Sequence, residues 1–207
     1  MAASALERPQ TASGVFRRWM RSFLFLRWRI SGCLSEAVEK KLLDNEIDLG
    51  LVSHDAHDPR LVARAFLRDE LVVIVPPGHK WATKRRIDPQ VLVGETCIVA
   101  AQGAGTRAVV EERLKTLGIG VPALLEFGNL EGAKHAVEAG LGVSVQARSV
   151  VRREVEAGSL HAIRLTGMDT SIQFFYVRRK NTHFTHAARE LVGLLEGTST
   201  QPGKAVG

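Results

Sequence analysis

The sequence of 207 residues has few cysteines and no long apolar run. Cys33 and Cys97 form neither a metal-ligand spacing nor a disulfide framework, which predicts small buried side chains in a reducing compartment. The longest apolar stretches, 71–77 and the arginine-interrupted 23–30, are much shorter than the roughly 18 residues of a membrane span. We therefore expect a soluble, cytoplasmic protein with no membrane partner.

Sequence motifs for catalysis and metal binding are also absent. The chain has no Gly-x-Ser-x-Gly turn, no His-Glu-x-x-His helix and no isolated carboxylate pair in an apolar setting. Its seven histidines are scattered: His54, His57, His79, His135, His161, His183 and His186. Because the two close histidine pairs lack a third ligand nearby, we predict no metal site, and we expect neither a cofactor nor enzyme activity.

The positive charge is concentrated in the first thirty residues. The formal net charge is +6, and residues 1–30 hold six arginines and one acid, a net of +5. The rest of the chain carries 22 basic and 21 acidic side chains, a net of +1. A domain that binds phosphates needs a basic face of its own. The distribution therefore argues against nucleic-acid binding by the main part of the chain.

Residues 1–33 differ from the rest, because they hold two of the three tryptophans, no lysine and no clean helical or alternating period. Three interpretations are open. The segment is a transit peptide, a poor signal peptide whose apolar run is interrupted by Arg27, or sequence from a shifted reading frame or misplaced start joined to a genuine domain. We favour the third and interpret it as a non-homologous basic segment, disordered or artefactual.

From Ser35 onward, strand and helix patterns alternate. Helices are predicted at 35–43, 107–117, 129–139, 149–157 and around 184–195, and strands at 47–52, 61–75, 96–101, 123–127, 143–145, 161–165 and 171–177. In the second helix, Val109, Val110, Leu114 and Leu117 share one side. The alternation predicts an α/β fold with a largely parallel sheet. The composition after Gly197 is typical of a disordered tail.

The loop Gln-Gly-Ala-Gly-Thr-Arg at 102–107 is the most chemically suggestive feature. Gly103 and Gly105 let the backbone approach a ligand closely, and the N-terminus of the following helix favours an anion. Thr106 could be both a helix cap and a ligand contact. Glycine-rich turns between strand and helix are also common without any such role, so the loop alone leaves its function open.

Two more polar residues, Asn129 and Ser35, are each predicted to open a helix in the same way, after a strand. Each has an ordinary explanation as an N-cap. In open α/β sheets, however, the carboxyl ends of strands and the N-termini of the next helices face the same crevice. Ser35, Thr106 and Asn129 could therefore point at one ligand.

Several segments together resemble one family, the LysR-type transcriptional regulators. VEKKLLDNEIDLGLV is similar to the first helix and strand of their regulatory domain, and LVVIVPPGHKWA to the strand and Pro-Gly-His turn that lead into the second subdomain. AQGAGTRAVVEERLKTLGI, FGNLEGAKHAVEAGLGVSV and RRKNTHFTHAARELVGLL follow in the family's order. The order and spacing over residues 34–196 make the resemblance specific.

The resemblance implies a fold like type II periplasmic binding proteins, with two Rossmann-like subdomains and an effector cleft. Subdomain I would comprise 34–76 and 166–196, subdomain II 77–165, and 197–207 would be the tail. Ser35, Thr106 and Asn129 match cleft-facing positions. Val145-Gln146-Ala147 departs from the Leu-Pro often found there, which leaves the effector's chemistry open.

A second departure concerns the N-terminus. Family members begin with a winged helix-turn-helix and an opening strand of subdomain I, and residues 1–33 resemble neither. We therefore expect subdomain I to be incomplete and DNA binding to belong to a domain outside this sequence.

The resulting prediction is a regulatory domain that binds a small, anionic effector and acts as a homodimer or tetramer. Three alternatives stay open: a periplasmic-type solute-binding protein, an enzyme of the same fold such as a dehydratase or deaminase, and a nonfunctional fragment.

Overall fold

The computed structural model of the chain describes residues 35–101, 105–120, 123–182 and 184–198. These residues form two compact units. The first unit holds the described residues up to Arg68 and from Gln173 onward, and the second unit runs from Asp69 to Ile172. The predicted basic segment and most of the predicted tail lie outside the described residues.

The elements alternate between helix and strand only in the middle of the chain. In chain order they are α1 (Ser35–Leu43), β1 (Gly50–Val52), β2 (Leu61–Val75), β3 (Arg86–Ile87), a 3-10 helix (Pro89–Gly94), β4 (Thr96–Ala100), α2 (Gly105–Thr116), β5 (Ala123–Phe127), α3 (Leu130–Glu138), β6 (Ser144–Ala147), α4 (Arg152–Ala157), β7 (His161–Leu165), β8 (Ser171–Arg179) and α5 (His186–Thr198). Within the described part of the chain, none of the helices combines the length and the apolar character that a membrane span requires.

In the first unit, α1 and α5 pack on strands β1, β8 and β2, which are neighbours in that order. β1 pairs antiparallel with β8. α1 buries Val38 and Leu42, one helical turn apart, in a cluster with strand residues that include Val52. The Arg179 guanidinium donates to the carbonyls of Leu42 and, at 3.0 Å, Ile47, so it satisfies backbone acceptors at the C-terminal end of α1.

In the second unit, the end of β2 is the central strand. It pairs antiparallel with β6 and β7, and β7 pairs parallel with the short β3. The five residues 71–75 are all 0% exposed. Val73 and Val75 lie in one apolar cluster, and Val72 and Ile74 lie in another. The prediction that this run is a core strand, apolar on both faces, is confirmed.

Glycines end three of the helices. Gly118, Gly140 and Gly158 follow α2, α3 and α4 with φ angles of 69°, 77° and 76°. A residue with a side chain is strained at such angles, whereas glycine closes the helix without that penalty. All three stops were predicted from the sequence.

The prediction of a largely parallel sheet is wrong. Parallel pairing among the described strands is confined to β3 with β7, β4 with β5, and a bridge between Cys97 and Val143, whereas β2 and β8 have antiparallel partners. The alternation of helix and strand shows which elements follow each other, but it does not specify which strands become neighbours.

The observed unit boundaries fall inside β2 and β8, between 68 and 69 and between 172 and 173. The sequence predicts boundaries at 76/77 and 165/166, where it has turns. Both strands are continuous across the observed boundaries, so no local pattern marks the point where the packing partners change.

Leu117 does not belong to the buried side of α2. Leu114 is 4% exposed, whereas Leu117 is 43% exposed. α2 ends at Thr116, so the helical period no longer directs the next side chain toward the core.

Candidate functional site

The second unit places two helix N-termini beside each other. β4 and β5 pair in parallel from Thr96 opposite Ala123 to Ala100 opposite Phe127, so both strands end at the same level. The chain continues from β4 into α2 and from β5 into α3. We call this place the β4–β5 edge. The carboxyl ends of parallel strands and the following helices are where open α/β sheets bind ligands.

Three of the predicted site residues lie at this edge. Thr106 is the second residue of α2 and is half-buried, and Gly105 is the first residue of that helix. Asn129 directly precedes α3 and is exposed. Gly103 lies outside the described residues. Ser35 begins α1 in the first unit, and its side chain is likewise outside the described part.

Asn129 is the N-cap of α3. Its backbone is extended, with φ −152° and ψ 166°, and its Oδ1 accepts a hydrogen bond from the Gly132 N–H at 2.8 Å. The capping role predicted from the sequence is confirmed. This role uses the amide oxygen and not the amide NH₂ group, which is the group that could donate to an anion.

Arg107 organises the same edge and was missed as a site residue. Its Nη1 donates to the Ala100 carbonyl at 2.9 Å and to Glu126 Oε2 at 2.7 Å, and its Nε donates to Glu111 Oε1 at 2.6 Å. The side chain therefore ties the start of α2 to the ends of both strands. The hydrogen bonds to Glu111 and then Glu126 raise the pKa of Arg107 above its ordinary value. The spacing to Glu111 was visible in the sequence, but the partners on the strands depend on the β4–β5 register.

The charge of Arg107 is offset by two carboxylates, so an anion at the β4–β5 edge would rely on other donors. Those donors are the backbone N–H groups at the starts of α2 and α3, together with the Thr106 hydroxyl and the Asn129 amide. This donor set suits binding. Cys97, on β4, does not add a nucleophile, because burial and, secondarily, the charge of Glu95 raise its pKa to about 11.

A buried polar pair on β6 lies beside β4. The Ser144 hydroxyl donates to the Ile98 carbonyl at 2.6 Å, and Gln146 Nε2 donates to Ser144 Oγ at 2.9 Å. Ser144 is 1% and Gln146 6% exposed. The sequence marks Gln146 only as a departure from the family pattern. Its spacing of two from Ser144 predicts that both side chains lie on the same face of the strand.

The approach of β6 to β4 depends on Gly142. A Cβ atom at this position would lie 2.3 Å from the Thr96 carbonyl oxygen. That oxygen accepts a hydrogen bond from the Val143 N–H at 2.9 Å, and the Val143 carbonyl accepts from the Ile98 N–H at 2.7 Å. Glycine is required here because the two backbones are in contact.

The prediction of no metal site assumes that neither close histidine pair has a third ligand nearby, and this assumption does not hold in the first unit. Glu39 Oε1 lies 3.1 Å from His57 Nδ1 and 3.7 Å from His54 Nδ1. A third potential ligand therefore does lie beside one histidine pair. The sequence did not reveal it, because Glu39 is on α1 and the histidines are in the loop between β1 and β2.

Comparisons with known proteins agree with this fold. The family model described as "LysR substrate binding domain" matches residues 3–199. That range includes most of 1–33, so the match gives no support to the prediction that this segment is non-homologous. The chain is 26% identical over 178 residues to the HTH-type transcriptional regulator YeiE of Escherichia coli K12. The aligned region covers 86% of this chain and 60% of YeiE.

Two solved structures share the fold. The CcmR regulatory domain of Synechocystis PCC6803, in complex with 2-PG, has a TM-score of 0.80 at 22% identity and covers 90% of this chain and 89% of its own. The effector-binding domain of QuiR, in complex with shikimate, has a TM-score of 0.79 at 14% identity and covers 94% of this chain and 93% of its own. At these identities the likeness shows a fold similar to LysR effector-binding domains, the type predicted from the sequence.

Proposed function

Because the chain belongs to the LysR substrate-binding domain family, we propose that it is the effector-sensing part of a cytoplasmic transcriptional regulator. The observation that carries this proposal is the β4–β5 edge, where two helices begin side by side after parallel strands. The chain binds its effector without changing it chemically, and binding shifts the balance between two states of the regulator. DNA contact is proposed to belong to another part of the regulator. The chain spans about 60% of the length of YeiE.

The proposed effector is a small anion or carboxylate. A negative charge near a helix N-terminus gains about 0.3–1 kcal/mol, and up to about 2 kcal/mol when partly buried. Two such termini face one edge here, with Thr106 and Asn129 as side-chain donors. QuiR was solved with shikimate, a carboxylate, which is consistent with this class.

The proposal extends to the first unit and to assembly. Ser35, at the start of α1, is proposed as a further effector contact. The regulator is proposed to act as a homodimer or tetramer, so that the effector changes the geometry of the assembly. The alternative of a periplasmic-type solute-binding protein is not favoured, because the family and the relatives reported above are those of transcriptional regulators.

Calorimetry with a panel of carboxylates and inorganic anions tests the site. The variant is Thr106→Val with Asn129→Ser, since serine preserves the helix cap while removing the amide donor. At least one anion should bind the natural chain, and the variant should bind it about tenfold or more weakly, a loss of about 1.4 kcal/mol.

The matched control is Asp88→Ser, which replaces the N-cap of the 3-10 helix. Asp88 Oδ1 accepts a hydrogen bond from the Gln90 N–H at 2.8 Å. This variant should bind the anion like the natural chain. Equal affinity in all three proteins would show that the β4–β5 edge is not the site.

A further inference from the structure

The cluster of Glu39, His54 and His57 in the first unit offers one carboxylate oxygen and two imidazole nitrogens, all within 4.8 Å of one another. The Glu39 and His54 side chains are 12% and 21% exposed, whereas the His57 side chain is 76% exposed. The rings of His54 and His57 have their centroids 4.8 Å apart. Two elements contribute these groups: α1 carries the glutamate, and the loop after β1 carries both histidines.

Two of the three ligand distances lie close to those in the shell of a tetrahedral metal ion. With bonds of about 2.0–2.2 Å to nitrogen or oxygen, two ligands of tetrahedral Zn²⁺ lie about 3.3–3.6 Å apart. Glu39 Oε1 lies 3.1 Å from His57 Nδ1 and 3.7 Å from His54 Nδ1, on either side of that range. Small side-chain adjustments would bring both pairs into it.

Hydrogen bonds link Glu39 to His57 but not to His54. Glu39 Oε1 accepts from the His57 backbone N–H at 3.2 Å and lies within hydrogen-bond distance of His57 Nδ1. These contacts account for His57, but the 3.7 Å between Glu39 and His54 is too long for a hydrogen bond. His54 Nδ1 lies 2.7 Å from the Asp55 carbonyl oxygen, so an ion bound through Nδ1 must displace that bond.

We propose that Glu39, His54 and His57 bind a Zn²⁺ ion or a similar transition-metal ion, with water as the fourth ligand. Two imidazoles and one carboxylate form a borderline donor set that suits Zn²⁺ and does not suit Mg²⁺ or Ca²⁺, which take mainly oxygen. The ion would join α1 to the 53–58 loop. The site lies in the first unit and shares no residue with the proposed effector contacts.

An open depression lies beside two of the three proposed ligands. Its volume is about 530 Å³, and it is lined by Glu39 and His57 and by residues near them, including Asp44 and Asp58, but not by His54. The cations of this lining are Lys40 and Arg60, and Arg60 is paired with Asp58 through contacts of 3.0 and 2.7 Å. Its charge is therefore offset by a neighbour and does not bear on the cluster alone.

Calorimetric titration of the full chain with ZnCl₂, with MgCl₂ as the comparison ion, tests this proposal. The variants are Glu39→Gln, His54→Gln and His57→Gln. Zn²⁺ should bind the natural chain with one site that Mg²⁺ does not occupy, and each variant should weaken that site by at least about tenfold. His57 is largely exposed, so its variant is expected to fold even if a substitution at Glu39 disturbs α1.

The matched control is His135→Gln on α3. His135 also pairs with a carboxylate, Glu138, at 2.9 Å, but within the described residues this pair belongs to no three-ligand cluster. The control should bind Zn²⁺ like the natural chain. Co²⁺ in place of Zn²⁺ should give visible absorption bands of a tetrahedral site, lost in the His57 variant. Zn²⁺ binding that is absent, or unchanged in His54→Gln and His57→Gln, would overturn the proposal.

Discussion

Replacing Arg107 should loosen the β4–β5 edge. The Arg107 side chain is 13% exposed and holds three acceptors: the Ala100 carbonyl, Glu111 and Glu126. Arg107→Ala removes all three contacts at once. Arg107→Lys keeps the charge but replaces the planar fork by a single ammonium group, which cannot meet acceptors on two strands and the helix in the same way.

The contacts differ in their expected contributions. A hydrogen bond from a charged donor to a backbone carbonyl contributes about 1.5–3 kcal/mol. The two ion pairs contribute less, about 0.2–1 kcal/mol each, because Glu111 and Glu126 are 51% and 52% exposed. The variant no longer loses the conformational entropy of the arginine side chain on folding, which offsets part of the lost stabilisation. We expect Arg107→Ala to lower the free energy of unfolding by about 2–3 kcal/mol.

Urea denaturation followed by circular dichroism measures this change, and the midpoint of thermal unfolding should fall by roughly 5–10 °C for a chain of this size. Glu111→Gln is the control, since it removes one exposed pair and should lower the free energy of unfolding by no more than about 1 kcal/mol. If Arg107→Ala changes it no more than the control does, the backbone contact of Arg107 does not hold the edge together.

Three further outcomes follow from the structure. Gly142→Ala should destabilise the chain by about 2–3 kcal/mol in urea, because its Cβ would meet the Thr96 carbonyl oxygen at 2.3 Å. Gly193→Ala lies within α5, and no atom lies within 4 Å of the new Cβ, so it should instead stabilise the chain by about 0.5–1 kcal/mol. If both alanine variants changed the free energy of unfolding in the same direction, the steric argument would be contradicted. Tyr176 is the single tyrosine, and burial followed by its 2.5 Å hydrogen bond to Glu196 raises its pKa to about 12. Its stabilisation is therefore complete below the unfolded pKa of about 10 and is lost as the pH rises through about 12; tyrosinate absorbance of the folded chain with a midpoint near 10 would contradict this.

Local patterns were enough to predict most elements of the fold. Periodic apolar residues indicated α1, and Gly118, Gly140 and Gly158 marked helix ends, because left-handed backbone angles are a local property. Strand direction was predicted wrongly, since pairing between β2 and its neighbours depends on contacts between distant segments. The short β3 and the 3-10 helix before β4 were not predicted, and their sequences carry no strong period.

The candidate site was only partly predictable. Asn129 was recognised as a cap because the cap and its N–H donor, Gly132, are three residues apart. The role of Arg107 depends on Ala100 and Glu126, which meet only once β4 and β5 pair. Glu39 could not be predicted as a neighbour of the histidines for the same reason, because eighteen residues separate it from His57.

Amide NMR spectra of the ¹⁵N-labelled chain test the effector site most directly. The chain is titrated with an anion that calorimetry has shown to bind, and the amide shifts are followed residue by residue. We predict the largest changes in the first turns of α2 and α3, at residues 105–108 and 129–132, because their N–H groups would hold the anion. Saturable changes confined to other parts of the chain, with these amides unaffected, would contradict the proposal that the β4–β5 edge senses the effector.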